Sequence, residues 1–104
     1  MSLYRLSPMA EGQVADIYGY THAEWGADQA DRYYNTLFDC FDAIADRRVA
    51  WRQISPAFGI GGWFCRCAHH FVYWRQKISG EIEVVAIVHE RMHQMEQLRA
   101  AWEA

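Results

Sequence analysis

The stretch that decides the fold is Glu81–His93, which reads EIEVVAIVHERMH. It contains an unbroken apolar run from Val84 to Val88, rich in β-branched residues, and Ser79 and Gly80 precede it. A strand with one solvated face alternates apolar and polar residues, whereas an unbroken run indicates a strand that is covered on both faces. We therefore predict a buried strand near the middle of its sheet, ending in a dense polar cluster at residues 89–93.

Length and composition predict one folded domain over residues 1–104. The chain has five Trp, six Tyr and five Phe, and only 22% of its residues are charged, which argues against disorder. Its apolar runs fall short of the roughly 20 residues that cross a bilayer. The N-terminus also lacks the apolar stretch of a signal peptide. We expect a cytoplasmic protein that does not associate with a membrane.

The cysteines are odd in number, at Cys40, Cys65 and Cys67. Cys65 and Cys67 are two residues apart, so a strand would point both to the same face. A cytoplasmic protein keeps its thiols reduced, and we therefore predict three free thiols rather than a disulfide framework.

Charge is unevenly distributed along the chain. Residues 1–46 hold two arginines and eight acidic residues, and residues 81–104 hold two arginines and five acidic residues. Residues 47–80 hold five arginines, one lysine and no acidic residue. Two interpretations stay open: one face meets a polyanionic or acidic partner, or the arginines form a solvated sheet face that acidic helices balance.

The first half of the chain predicts a short strand and two helices. The strand spans Ser2–Leu6, and Ser7 and Pro8 suit the N-cap and first position of a helix. Gly26 ends this helix, and the second begins at once, so the two form a helical hairpin. The apolar stripes are Ala10, Val14, Ile17, Tyr18, Thr21 and Trp25 in the first helix, and Ala30, Tyr34, Leu37, Phe41 and Ile44 in the second. They are broader than a sheet of this size needs, which suggests a groove for a partner.

The second half predicts a loop over residues 47–62 and then three strands, at Trp63–Ala68, at His70–Gln76 and over the apolar run. Connections this short make the three strands an antiparallel meander. The predicted fold class is α+β with the order β-α-α-β-β-β. The helical hairpin packs on one face of a mainly antiparallel four-stranded sheet, the first strand joins at an edge, and a short C-terminal helix follows.

This order of elements, together with the residues at its joints, resembles the RelE/ParE superfamily of bacterial toxins. The matching stretches are Tyr4–Ala10, Asp16–Tyr20, Trp25–Tyr33, His70–Arg75 and Val84–Met92. The likeness covers residues 4 to about 95, and the ending His-Glu-Arg-Met is similar to the ParE branch in particular.

The resemblance implies a cytoplasmic toxin of a type II toxin–antitoxin module that inhibits DNA gyrase by binding and needs no cofactor. A ParD-like antitoxin would neutralise it, with its C-terminal segment along the helical hairpin, where it can also add to the sheet. The toxin would meet operator DNA only through the antitoxin. A further possibility is a non-toxic chain that binds the antitoxin as a co-repressor.

The RelE branch instead cuts messenger RNA on the ribosome, so its chemistry is the enzymatic alternative. Such cleavage needs a base or positioning group, a general acid and cations for the developing phosphorane charge. The candidates here are Arg66, Arg75, His89 and Arg91. The paired lysines and the late tyrosine typical of that branch are missing, and the acidic pI of 5.9 suits a ribosome binder poorly. We predict a binding protein rather than an enzyme.

Two sets of residues are the predicted binding sites. The target-binding set is Glu90, Arg91, Met92 and His93. The antitoxin-binding set is Tyr18, Trp25, Tyr33 and Phe38. The residue types that could ligate a metal are His89 with His93, and Cys65, Cys67, His69 and His70. Their spacing does not match a structural zinc site, so we predict no metal.

Overall fold

The computed structural model describes residues 4–91 and 95–103. The expected start of the first strand at Ser2 lies outside the described residues. The elements are β1 (Tyr4–Leu6), α1 (Pro8–Trp25), α2 (Ala27–Ala45), β2 (Arg52–Gln53), a 3-10 helix (Pro56–Phe58), β3 (Trp63–Cys67), β4 (His70–Gln76), β5 (Ile82–His89) and α3 (Met95–Glu103). None of the described helices is long and apolar enough to span a membrane.

The predicted α+β fold class is confirmed, with one strand more than expected. The sheet order is β1-β5-β4-β3-β2, with β1 parallel to β5 and the other pairs antiparallel. β5 therefore lies inside the sheet and β1 at its edge, as predicted. The extra strand is β2, which pairs Arg52 with Phe64 and Gln53 with Trp63. A strand of two residues is too short to show the alternation of apolar and polar side chains, so the sequence pattern predicts a loop for this segment.

Ser7 joins the beginning of α1 to β5. Its hydroxyl accepts a hydrogen bond from the Ala10 N–H (3.1 Å) and donates one to the Val85 carbonyl (2.8 Å). Its backbone N–H donates to the Val84 carbonyl (2.9 Å). The predicted N-cap therefore also satisfies backbone groups of β5 where β1 ends.

The helical hairpin covers one face of the sheet, and this core is formed mainly by alternate residues of the strands and the inner stripes of α1 and α2. Its buried members are Ala10, Val14, Leu37, Phe41, Ile44, Cys65, Cys67, Val72, Trp74, Ile82, Val84 and Ile87. Tyr34, which was expected on the inner stripe of α2, is 41% exposed.

α3 covers the opposite face of the sheet. Leu98 and Ala101 are buried there against a second core that includes Tyr73, Val85 and Ala86. The Trp102 ring lies against Gly62, where an added Cβ would be only 2.6 Å from the Trp74 carbonyl oxygen. The second cover of β5 therefore comes from a helix of the same chain.

The cysteine prediction is wrong for two of the three residues. The structure pairs Cys40 of α2 with Cys67 of β3 as a disulfide, with 6.4 Å between their Cα atoms. That spacing lies within the range for disulfides. Cys65 is a free thiol, and burial raises its pKa to about 11. Cys65 and Cys67 do share one face of β3, as predicted. Predicting the Cys40–Cys67 disulfide requires the position of α2 over β3, and the spacing of cysteines along the chain does not give that position.

Trp74 is fully buried, and within the described chain its indole Nε1–H has no hydrogen-bond partner. An unpaired buried donor costs about 1–3 kcal/mol of desolvation. We expect Trp74→Phe to change the free energy of unfolding by less than about 1 kcal/mol. Removing the unpaired N–H donor is stabilising and offsets the destabilisation from the smaller side-chain volume. Trp74→Ala should lower the free energy of unfolding by about 3–5 kcal/mol. Urea denaturation measures both.

The control for this prediction is Trp51→Phe. The Trp51 Nε1–H donates to the Ile44 carbonyl at 3.1 Å, so this variant loses a real hydrogen bond. It should be the more destabilising of the two phenylalanine variants. Equal losses for Trp74→Phe and Trp51→Phe would contradict the interpretation of Trp74.

Candidate binding groove

A groove of about 1070 Å³ lies between the helical hairpin and the end of β5. We call it the hairpin groove. On one side it is lined by α1 and the start of α2, including Ile17, Trp25 and Tyr33. On the other side it is lined by His69 and His70, by Ile87 and by residues 89–91. Its lining is mostly apolar, with charged side chains at the rims.

A β-bulge in β5 decides which side chains reach the hairpin groove. Tyr73 pairs with Ala86 but Trp74 pairs with Val84, so Val85 is the extra residue. A bulge reverses the alternation of side chains beyond it. Ile87 consequently points to the hairpin side, and His89 lines the same groove.

Gln13 of α1 was not among the predicted site residues. Its side-chain Oε1 accepts the Ile87 N–H at 2.7 Å, beyond the point where the three-residue strand β1 has ended. This bond holds α1 against the end of β5 and so fixes the width of the groove. Sequence patterning offered no signal for it, because a glutamine on a helix surface is usually solvated.

Tyr33 and His70 lie inside the groove. The Tyr33 hydroxyl is 2.6 Å from His70 Nδ1 and accepts the His69 backbone N–H at 3.2 Å. The tautomer of His70 decides which of the two groups donates in this hydrogen bond. Burial, with His89 and His69 nearby, lowers the pKa of His70 to about 4, although Glu90 acts in the opposite direction.

The β4–β5 register places the two imidazoles together. His70 pairs with His89, and their ring centroids are 5.1 Å apart in an edge-to-face arrangement. The Arg91 backbone N–H donates to His89 Nδ1 at 3.1 Å. His69 and His70 were predicted only as weak metal candidates. Within residues 4–91 and 95–103, no three His, Cys, Asp or Glu side chains are arranged to hold a metal ion.

Glu90 is the centre of a charged cluster at the sheet rim. Its carboxylate forms a short ion pair with Arg66 and contacts His69 Nδ1 at 3.4 Å. Desolvation alone would raise the pKa of Glu90, but Arg66 and His69 outweigh it, and the pKa lies below its ordinary value. Glu90 is therefore engaged across the sheet rather than with its neighbour Arg91.

The predicted target-binding residues are only partly described. Glu90 and Arg91 both line the hairpin groove, and Arg91 is exposed. Met92 and His93 lie outside the described residues.

The predicted antitoxin-binding residues do not form one patch. Trp25 and Tyr33 line the hairpin groove. Tyr18 lies in a separate, shallower depression of about 460 Å³ and donates a hydrogen bond to Asp31 at 2.7 Å. Phe38 packs against the core, with its ring 5.1 Å from that of Phe41. Tyr20, which is 67% exposed at the groove, was not among the predicted residues.

The structure separates the residues of the nuclease alternative. Arg66 and Arg75 do lie on the α3 side of the sheet, but at opposite ends of it. Arg75 pairs with Glu83 at 2.7 Å and donates to the Trp102 carbonyl at 2.9 Å, whereas Arg66 is beside Glu90. Of the four residues, only His89 and Arg91 line the hairpin groove, and Arg75 lies at the other end of the sheet.

The basic segment is largely neutralised within the chain. Besides the Arg66–Glu90 and Arg75–Glu83 pairs, Lys77 lies 4.0 Å from carboxylate oxygens of Glu81 and Glu83. These ion pairs favour the interpretation that the arginines form a sheet face whose charge acidic residues of the same chain balance. The prediction that these acidic residues lie on the helices is corrected, because they come mainly from β5 and its flanks.

The structure is that of a small α+β protein with an open groove beside its helical hairpin. The family model described as the ParE toxin of type II toxin–antitoxin system, parDE, matches residues 4–94. The chain therefore belongs to the ParE toxin family, and the resemblance noted in the sequence is confirmed.

Two named relatives agree with this membership, and one solved structure shares the fold. Toxin ParE of Escherichia coli is 35% identical over 98 residues, covering 94% of each chain. Toxin ParE1 of Mycobacterium tuberculosis is 33% identical over 94 residues, covering 88% of this chain and 92% of its own. A chain of the chromosomal ParDE TA system from P. aeruginosa has a TM-score of 0.70 at 16% identity, covering 86% of this chain and 96% of that one, which shows a common fold.

The neutral His70 predicts a pH dependence of stability. An unfolded histidine has a pKa of about 6.5, so on acidification the unfolded chain takes up this proton before the folded chain does. The contribution of His70 to the free energy of unfolding should therefore fall as the pH decreases from about 6.5 to about 4, by at most about 1.4 kcal/mol per pH unit. Urea denaturation at a series of pH values measures the slope.

His70→Gln keeps an acceptor for Tyr33 and removes the titrating group, so the slope between pH 6.5 and 4 should be shallower. His22→Gln, at an exposed position of α1 outside the groove, is the matched control for the loss of a histidine side chain. If His70→Gln and wild type lost stability equally over this window, His70 would not be held neutral by the fold.

Proposed function

We propose that this chain is the toxin of a type II toxin–antitoxin module and acts by binding DNA gyrase, without catalysing a reaction. Membership of the ParE family supports the toxin role. The observation that carries the binding mode is the separation of Arg75 from Arg66, His89 and Arg91. A ribosome-dependent nuclease needs these groups around one phosphate, whereas a binding toxin needs an accessible surface, which the hairpin groove provides.

The distribution of charge supports a protein target over a nucleic acid. Nucleic-acid binding depends on cations that are free to neutralise phosphates. Here Arg66, Arg75 and Lys77 are paired with carboxylates of the same chain. In this proposal Glu90 and Arg91, with Met92 and His93, form the target-binding end of the molecule, and operator DNA is reached only through the antitoxin.

The partner in this proposal is a ParD-like antitoxin in the cytoplasm. The exposed aromatic residues of the helical hairpin support it, because Trp25 is 72% and Tyr20 67% exposed. Large exposed aromatic side chains are typical of the residues that dominate protein–protein interfaces. The P. aeruginosa structure with the same fold belongs to a ParDE system, which points to the same class of partner.

The test of the proposed function is a gyrase supercoiling assay beside a translation-coupled RNA cleavage assay, both on one preparation. We expect loss of supercoiling with accumulation of linear DNA, and intact RNA, because the nuclease groups are not assembled. RNA cleavage on the ribosome with unaffected supercoiling would contradict the proposal in favour of the RelE-type reaction. If both activities were absent while the antitoxin bound, the non-toxic co-repressor would be the remaining function.

Arg91→Glu is the variant for the same assay. Arg91 is exposed, so reversing its charge should leave the fold intact while reducing gyrase inhibition at least tenfold. Arg52→Glu reverses an exposed charge on β2, at the opposite edge of the sheet, and should inhibit like wild type. A truncation after Val88 is a poorer test, because it removes α3 and uncovers one face of the sheet.

A further inference from the structure

We propose that Cys40 and Cys67 form a reversible disulfide, made and broken by exchange with low-molecular-weight thiols, through which the redox state of the cell sets the stability of the folded chain. The structure joins Cys40 of α2 to Cys67 of β3, with their Cα atoms 6.4 Å apart. Disulfides in cytoplasmic proteins are rare, and those that form there are mostly transient or redox-sensing. The inference rests on the proposed function only for the cytoplasmic location.

The two sulfur atoms differ in their access to solvent. Cys67 is buried, with 3% of its surface exposed, whereas Cys40 is only partly buried where it packs against the core. Thiol–disulfide exchange depends on access to the sulfur that is attacked as well as on the thiolate character of the attacking group. Cys40 is therefore the sulfur that an external thiolate attacks, and Cys67 is the leaving group.

Reduction of the disulfide takes two exchange steps. A low-molecular-weight thiolate forms a bond to Cys40 Sγ, and the Cys40–Cys67 bond breaks with its electron pair on Cys67 Sγ, which then takes a proton. A second thiolate attacks the small-molecule sulfur of the mixed disulfide and releases Cys40 as a thiolate, which is protonated in turn. Two small thiols are thereby oxidised to one disulfide, and the two cysteines gain two electrons and two protons. Oxidation by a low-molecular-weight disulfide reverses both steps.

The fold accommodates the reduced state as well as the oxidised one. The Thr36 carbonyl oxygen of α2 lies 3.7 Å from Cys67 Sγ, within reach of the S–H that reduction creates. A buried donor is costly only when it lacks an acceptor, and the Thr36 carbonyl supplies one. A reduced cysteine also packs as a small apolar side chain, so the contact between α2 and β3 survives reduction.

The third cysteine does not compete for this bond. Cys65 lies on the same face of β3 as Cys67, but it is two residues farther from the β3–β4 turn and pairs with Val72. Burial raises the pKa of Cys65 to about 11, so it remains a protonated thiol at neutral pH. Because the thiolate is the reactive form, Cys65 is a poor nucleophile. It therefore provides a matched control for the other two cysteines.

The effect of the bond on stability follows from the length of chain that it closes. Cys40 and Cys67 are 27 residues apart, and the segment between them includes the end of α2, β2 and most of β3. A cross-link over a loop of this length restricts the unfolded chain and raises the ratio of folded to unfolded protein about 100-fold. Oxidation should therefore make the folded chain more persistent, and reduction should reverse the effect.

The first experiment maps the cysteines. The full chain is equilibrated with mixtures of reduced and oxidised glutathione, its free thiols are alkylated under denaturing conditions, and its tryptic peptides are analysed by mass spectrometry. Trypsin cleaves after arginines that separate the three cysteines, so each lies on its own peptide. We expect linked Cys40 and Cys67 peptides that disappear as reduced glutathione increases, with Cys65 alkylated at every ratio.

Three results of this mapping would overturn the inference. The first is the absence of the Cys40–Cys67 link at every glutathione ratio, and the second is a link that includes Cys65. The third is a Cys40–Cys67 link that excess reduced glutathione does not break in the folded chain, because the bond would then be permanent.

Urea denaturation of the oxidised and reduced forms measures the effect on stability. The ratio of folded to unfolded protein should be about 100-fold higher for oxidised than for reduced wild type. Cys65→Ala should keep this difference, whereas Cys40→Ala should abolish it. If Cys40→Ala kept the full difference, the bond would not be its cause. A chain that fails to inhibit gyrase would refute the proposed function but not this inference, because neither measurement involves gyrase.

Discussion

The burial of β5 on both faces is the constraint on which the rest of the structure depends. Val84 and Val85 are completely buried on opposite sides of the sheet, one under the helical hairpin and the other under α3. A strand with two apolar faces cannot lie at the surface, so the chain must supply a layer for each. The helical hairpin supplies the first. The short helix α3, fixed by Trp102 against Gly62, supplies the second.

The bulge at Val85 directs the end of this buried strand toward the hairpin groove. Before the bulge, Ile82 and Val84 face the hairpin; after it, Ile87 does, and Val88 faces α3. Without the extra residue, the alternation would direct His89 away from His70 and Tyr33. The bulged carbonyl is not left unpaired, because the Ser7 hydroxyl donates to it. The N-cap of α1 and the geometry of the groove are therefore parts of one arrangement.

The distribution of charge has the same origin. Arg75 meets Glu83 because antiparallel pairing of β4 with β5 brings the two residues opposite each other. Arg66 of β3 reaches Glu90, which follows the end of β5. This pairing stabilises the rims of the sheet and engages Arg66, Arg75 and Lys77 with carboxylates of the same chain. It also leaves Arg91 as an exposed cation beside the groove, which is why a carboxylate-bearing protein segment suits this surface better than a phosphate backbone does.

The sequence by itself determined every helix and strand that carries a readable pattern, and so all of them except β2 and the 3-10 helix. The doubly buried strand followed from its unbroken apolar run, the beginning of α1 from Ser7 and Pro8, and the division of the hairpin from Gly26. These features depend on neighbours within one or two turns of chain, so local patterns reveal them. Only the tertiary structure decided the Cys40–Cys67 pairing, the place of Phe38 in the core, the distance of Arg75 from His89 and the meeting of Trp25 with Arg91 across one groove. Each of these depends on strand register and on how the helices lie across the sheet. Contacts between residues far apart in the chain decide that geometry, and no local pattern encodes it.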